Sequence, residues 1–286
     1  MRHPNQQFVG QQGIALIAVL WVVAALGIMV VGMIHVVKGE TRLAAQLQRT
    51  TLDSGIADAA IRLALQQTLL VNKKEFKAIE ATTVQVFDRT VQVEFIPLNG
   101  LINLNHAPIA LLADAFQYAA GLPKEQATAL AQAIDQERQK RNAKGEAAKM
   151  HSPEDLLRIP GIDYDLAAQV MPLFTTDLEN TQRVNPLAAP LAVLTVLAQG
   201  NEGLAQQVFQ TRSERGDTTD TTQLNGNHLQ IASTGQIAVR ATLSSGDNTA
   251  VVRVWRLALS GDSHGLPWRV LGQDPPFQIS TSSTPP

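Results

Sequence analysis

Between Gln12 and Lys38 the chain carries no Asp, Glu, Lys or Arg, and His35 is the one residue there that could take a charge. From Gly13 to Ile34 the run is apolar on every side, built from Ile, Leu, Val, Ala, Met and Trp21 with three glycines. About 20 such residues suffice to cross a bilayer as a helix, which satisfies all its own backbone groups. A helix buried in a soluble core would normally keep one polar face, and this one has none. The pattern therefore predicts a transmembrane helix over residues 14–37, with Leu16, Ile17, Ala18, Leu20 and Trp21 among its members. A secretory signal peptide has a shorter apolar run, roughly 7–15 residues, followed by a small-x-small cleavage site. A plain signal anchor fits the length.

A short polar leader, Met1 to Gln12, stands before the run and ends abruptly in Gly13. This arrangement resembles a type IV prepilin-like leader. The resemblance implies that a prepilin peptidase cuts between Gly13 and Ile14, that the new N-terminus is methylated, and that the apolar segment stays as the start of a long helix. Prepilins usually carry Glu at the fifth mature position, where this chain has Ala18. A lone carboxylate is costly in hydrocarbon, so a filament subunit keeps one only to pair with the N-terminal amine of its neighbour. Ala18 either sets this chain apart from prepilins or marks a subunit at the filament tip, which needs no such pairing.

Loss of Arg2 with the leader leaves 22 basic groups against 25 acidic ones, so the chain has no general attraction for nucleic acid or anionic membranes. There is no cysteine among the 286 residues, hence no disulfide and no cysteine-ligated zinc. Arg2 before the span and Lys38 and Arg42 after it do not decide its orientation by charge.

Beyond the span, good helix formers continue to about Leu70, with Leu43, Leu47, Ile56, Ala60, Leu63 and Leu70 recurring mainly at three- and four-residue steps. One helix from Ile14 to about Leu70 follows, amphipathic over 38–72, with a bend allowed at Gly39 or Gly55. Thr82–Phe87 and Thr90–Ile96 alternate apolar and polar residues about Asp88-Arg89, a hairpin with one buried face. Asn99-Gly100 is a turn signal, and 82–104 forms the first part of a sheet domain. Residues 105–215 read as a helical insertion. In it, Asn105 is the expected N-cap of a helix with Pro108 in its first turn, and Glu125–Arg138 is the next helix. An exposed charged loop follows over 139–149, and Ser152-Pro-Glu-Asp155 starts another helix. Asn105-His-Ala-Pro-Ile-Ala-Leu-Leu112 is echoed by Asn185-Pro-Leu-Ala-Ala-Pro-Leu-Ala-Val-Leu194 with one or two residues of slippage, the mark of a duplicated helical unit. Strand patterns return over 226–272, at 228–232, 236–243, 249–259 and a short stretch within 266–271. The Pro-, Ser- and Thr-rich tail 273–286 is expected to be disordered.

Leu156-Leu-Arg-Ile-Pro-Gly-Ile-Asp163, followed by Leu166-Ala-Ala-Gln-Val170, resembles a helix-hairpin-helix unit, whose Gly-x-Gly hairpin offers backbone N–H groups to a DNA phosphate. Here Asp163 replaces the second glycine and Asp165 follows, so the shape is kept and the phosphate site is lost. The six histidines are scattered without metal spacing, and no nucleophile elbow or phosphate loop occurs, so no enzyme is expected. Asp163, Asp165, Asp177 and Glu179 lack the regular spacing of a calcium loop and read as solvated carboxylates.

The order of these motifs is more specific than any one of them. It runs from the Gly13 leader and a helix without the fifth-position Glu, through Leu101-Ile-Asn-Leu-Asn-His-Ala-Pro108 and Leu156–Ile162, to Arg183-Val-Asn-Pro186 with Ala189-Pro190. From Gly13 to about Leu259 the chain resembles the K-type minor pseudopilins of type II secretion systems, which characteristically lack that Glu. The resemblance implies an α+β pseudopilin fold: a long N-terminal helix, a small antiparallel sheet, and a large all-α insertion between strands. It also implies an inner-membrane anchor with the bulk of the chain in the periplasm. The implied partners are I- and J-type minor pseudopilins and the major pseudopilin, at the tip of a filament that exports folded proteins. Calcium (Ca2+) is implied by the resemblance alone. Pro97-Leu-Asn-Gly100 stands where relatives often have acids, so no ligand is assigned. The alternative is a membrane-anchored helix-hairpin-helix DNA receptor.

Overall fold

A computed structural model describes residues 12–71, 73–141, 148–245, 248–260 and 265–280. The leader up to residue 11 and the last six residues lie outside them. The chain divides into two compact units, one ending at Asp53 and one beginning at Ser54. In the first, helix α1 (Gln12–Leu70) begins; it runs through Gly39 and Gly55 without interruption and ends in the second. Within the expected span 14–37, side chains are described only for 16–27 and 29, and among the described residues no helix is long and apolar enough to cross a membrane.

The second unit is α+β. Strands β1 (Glu80–Val86) and β2 (Arg89–Pro97) form the expected hairpin, in register from Glu80 opposite Phe95 to Val86 opposite Arg89. Its turn is Phe87-Asp88, with Phe87 at φ 55° and 90% exposed rather than continuing the strand. Before the chain returns to this sheet come β3 (Ile102–Asn103), α2 (Ile109–Ala119), α3 (Lys124–Gln139), α4 (Tyr164–Val170), β4 (Phe174–Thr175), α5 (Leu191–Leu197) and α6 (Glu202–Arg215). Then β5 (Gln236–Ser244), β6 (Thr249–Ala258), β7 (Arg269–Gln273) and β8 (Phe277–Ser280) complete an antiparallel sheet of order β1-β2-β5-β6-β7, with β8 also on β6. The insertion thus separates two strands that lie side by side, Pro97 opposite Ile237.

Alternation explains the sheet core. Val84, Val91, Val93, Phe95, Ile237, Val239, Ala241, Trp255 and Leu257 face one side and are covered by Ala57, Ala60, Ile61, Ala64 and Leu65 of α1, spaced at three and four residues. Phe76 stacks on Phe95 beneath the end of the helix, ring centroids 5.0 Å apart. The insertion has a separate core built around Leu111, Leu112, Phe116, Ile134, Leu156 and Leu194. A small third cluster, Leu98, Leu178 and Ala238, joins the two on the sheet's other face. Gly100 lies at this junction. A Cβ there would sit 2.3 Å from the Ala188 carbonyl carbon, so only glycine lets the two backbones meet.

Three expectations are corrected. Asn105 is not a helix cap: α2 starts after Pro108, and the Asn105 amide instead donates to the Met150 carbonyl (3.0 Å) and accepts from the Met150 N–H (2.9 Å). Residues 228–232 form no sheet strand. A 3-10 turn, Gly226–His228, buries His228 against Asp114, and Leu229 makes a lone parallel bridge with Val184 inside the insertion. Residues 277–280 of the tail form a strand. Phe277 and Ile279 alternate with polar neighbours, and β8 pairs with Thr249–Val252 after Pro275-Pro276.

Candidate functional site

The sites expected from sequence fall in separate places. Gly13 and Ile14 lie in the first turn of α1, where side chains are not described. Leu16, Ile17, Ala18, Leu20 and Trp21 are all exposed, Trp21 at 74%, with none of them buried among the described residues. An apolar surface of this kind needs a lipid or protein environment.

The insertion is built from two matched units. In the first, the Asn103 side chain accepts from Asn105 N–H (3.0 Å); the chain passes Ala107-Pro108 into α2, turns at Gly121 and continues in α3. Arg138, near the end of α3, reaches back to donate to the Ala107 carbonyl (3.0 Å). In the second, Asn185 accepts from Leu187 N–H (3.1 Å); Ala189-Pro190 leads into α5, Gly200 makes the turn and α6 follows. Arg212 of α6 donates to the carbonyls of Ala189 and Pro186. Each unit closes with a parallel pairing: β3 with β4, and Val184 with Leu229. The equivalent asparagines are therefore Asn103 and Asn185, two residues off the alignment that starts at Asn105. Burial lowers the pKa of both arginines, that of Arg212 to about 10; at Arg138 the Asp135 carboxylate, 3.5 Å away, opposes the shift.

Asn185 also ties the insertion to the sheet unit. Fully buried, its amide donates to the carbonyls of Lys77 (2.6 Å) and Ala232 (3.2 Å), while the Asn99 amide donates to the same Ala232 carbonyl (2.8 Å). Sequence reading passes over Asn99, Arg138 and Arg212 because their partners are backbone atoms distant in the chain.

Only the first unit carries the hairpin at Pro160-Gly161. Its leading helix, Pro153–Arg158, is a 3-10 helix and not an α-helix, and the Asp155 carboxylate caps its start through the N–H groups of His151 (2.7 Å) and Ser152 (3.4 Å). Gly161 takes φ 91°, and the Asp163 carboxylate accepts from Leu166 N–H (2.9 Å) at the start of α4. The backbone donor that a phosphate would need there is already engaged by a fixed negative charge.

The carboxylates weighed for calcium do not converge. Asp163 caps α4, Asp165 is exposed in its first turn, Asp177 takes the Arg256 guanidinium at 2.7 Å, and Glu179 lies 3.9 Å from Arg269. Among the described residues no three His, Cys, Asp or Glu are grouped to hold a metal ion. Calcium wants six to eight oxygens, and this donor set does not fit it. Asp177 and Glu179 edge a polar cavity of about 630 Å³ with Asn105, His106, His151 and Arg269. Burial, then the nearby Lys149 and Arg138 charges, hold the His106 pKa below its ordinary value.

The sequence matches no family model and no curated protein. Among solved structures, the fold is similar to a chain in the crystal structure of the GspK-GspI-GspJ complex of the type 2 secretion system from enterotoxigenic Escherichia coli. The identity is 16% and the TM-score 0.49, over 82% of this chain and 98% of that one.

Proposed function

We propose that this chain is a K-type minor pseudopilin, an inner-membrane, single-pass subunit with its bulk in the periplasm, at the tip of a type II secretion pseudopilus. The observation that carries the reading is the placement of a helical insertion with its own core between the adjacent strands β2 and β5, on a sheet covered by the end of a long N-terminal helix. The ordered motifs from Gly13 to Ala189-Pro190 support it, as does Ala18 in place of a carboxylate. In this role the apolar helix bundles with the helices of I- and J-type subunits and of the major pseudopilin. The bulk of the insertion prevents a further subunit from adding above it. The protein is then a scaffold and not an enzyme, and no catalytic residue is assigned.

Mass spectrometry of the native polypeptide tests this directly. A mature N-terminus at Ile14, methylated, is expected; a chain that keeps its leader, or one that begins beyond Val37, refutes it. The DNA-receptor alternative is tested by nucleic-acid binding of the full chain at low salt. The capped hairpin at Asp163 leads us to expect none.

A further inference from the structure

The insertion meets the sheet along the segment just after β4. On the insertion side, Thr176 donates to the His151 carbonyl (3.0 Å) and Asn103 donates to the Leu178 carbonyl (3.1 Å). On the sheet side, Leu178 packs with Ala238, and Asp177 receives Arg256 of β6. Arg256 is aimed by two features of the edge. The β6–β7 register shifts between Arg256 and Leu257, a bulge of the sort that redirects a side chain. Its partner in the register is Gly272, where a Cβ would lie 2.5 Å from the guanidinium Nη2, so the missing side chain makes the berth. From there one guanidinium nitrogen bonds Asp177 at 2.7 Å and another lies 3.6 Å from the Asp274 carboxylate.

The array continues through Asp274. Its carbonyl accepts from Arg253, and Arg253 pairs with Asp58 of α1 at 2.8 Å. Asp58 also accepts from the Trp255 indole (2.9 Å). Charges alternate in the order Asp58, Arg253, Asp274, Arg256, Asp177, and they come from α1, β6 and the two segments that follow β7 and β4. Divalent cations often bridge acidic groups from separate elements in this way. Here the bridging charge is planar, covalently attached and matched to carboxylate geometry.

We infer that Arg256 acts as a built-in cation that fastens the helical insertion to the sheet, so that the seam between them holds without calcium. The inference concerns this seam alone and stands apart from the pseudopilin reading. It is tested on the full chain in detergent, with the thermal unfolding midpoint and hydrogen exchange followed in millimolar calcium and in chelator. For the unaltered protein the two conditions should give the same midpoint; a rise with calcium overturns the inference. Arg256→Gln should lower the midpoint by several degrees and strip exchange protection from 176–179 and 269–274. Adding Asp177→Asn to that variant should cost little more, since both changes break one contact. Fully additive losses, or no loss with Arg256→Gln, overturn it. Should Arg256→Gln fail to fold, Gly272→Ala, which only crowds the guanidinium, should produce the same local loss of protection; retained protection there counts against the clamp.

Discussion

Replacing Asn185 with Leu isolates what holds the insertion in place. The two side chains have nearly the same shape, so the variant exchanges polar contacts for methyl groups with little change in volume. The Leu187 N–H, buried and bonded to Asn185 Oδ1 at 3.1 Å, is left without its acceptor. The Lys77 carbonyl loses a 2.6 Å bond but lies on an exposed residue and can turn toward water. The Ala232 carbonyl keeps the Asn99 amide at 2.8 Å. One orphaned buried donor costs about 1–3 kcal/mol, and the other lost bonds add about 1 kcal/mol each before water recovers part of it. The expected loss is about 3 kcal/mol, a large share of the roughly 5–15 kcal/mol typical of a folded domain. Denaturant unfolding of the full chain in detergent, followed by Trp fluorescence, reads it. Asn185→Asp serves as the partner variant. It keeps an acceptor for Leu187 but sets a carboxylate against two carbonyls, which raises its pKa in the folded state. The protonated form is then favoured on folding, so this variant should regain stability as pH falls toward about 4 and lose it as pH rises. A loss below about 0.5 kcal/mol for Asn185→Leu, or a pH-independent Asn185→Asp, would refute the reasoning.

Gly100→Ala places a methyl group against the Ala188 backbone and should cost about 3 kcal/mol, seen as a lower unfolding midpoint. Phe87→Gly relieves a left-handed turn residue whose side chain is 90% exposed and should raise stability by about 1 kcal/mol in the same assay. His106 has its folded pKa depressed, so the unfolded chain binds the proton more readily, and stability is lost as pH falls below about 6.5. His106→Gln should flatten that acid-side loss in a midpoint-against-pH series, and an unchanged slope would contradict the assignment.

Much of the sheet is legible in the sequence because its strands alternate over most of their length: Thr82–Val86, Val91–Phe95 and Gln236–Leu243 place their larger apolar groups on one face, with Ala238 turned to the other. The α1 pattern is equally plain. What escapes is long-range or backbone-directed. Asn105 has the local look of a helix cap, yet its partner is Met150, 45 residues on. The alternation at 228–232 is real, but the backbone there is drawn to Val184 instead of the sheet. Phe277 and Ile279 sit in a tail whose composition suggests disorder, and only the exposed edge of β6 gives them a partner. The duplicated unit shows in its prolines, whereas the arginines that close each copy aim at carbonyls, which leave no trace in a residue pattern. Asp177 and Arg256 stand 79 residues apart, and no spacing rule joins them.

The siting of the insertion between two neighbouring strands has a kinetic consequence. Pairing of β2 with β5 must close a chain loop running from residue 98 to residue 235, an entropic cost that slows sheets built from distant segments. The inserted segment has its own hydrophobic nucleus, and its two ends leave as neighbours. Once it has collapsed, Pro97 and Gln236 are already in reach of each other, and the strands zip as readily as a short hairpin. The expected order of assembly is the insertion's helices first and the β2–β5 ladder after them.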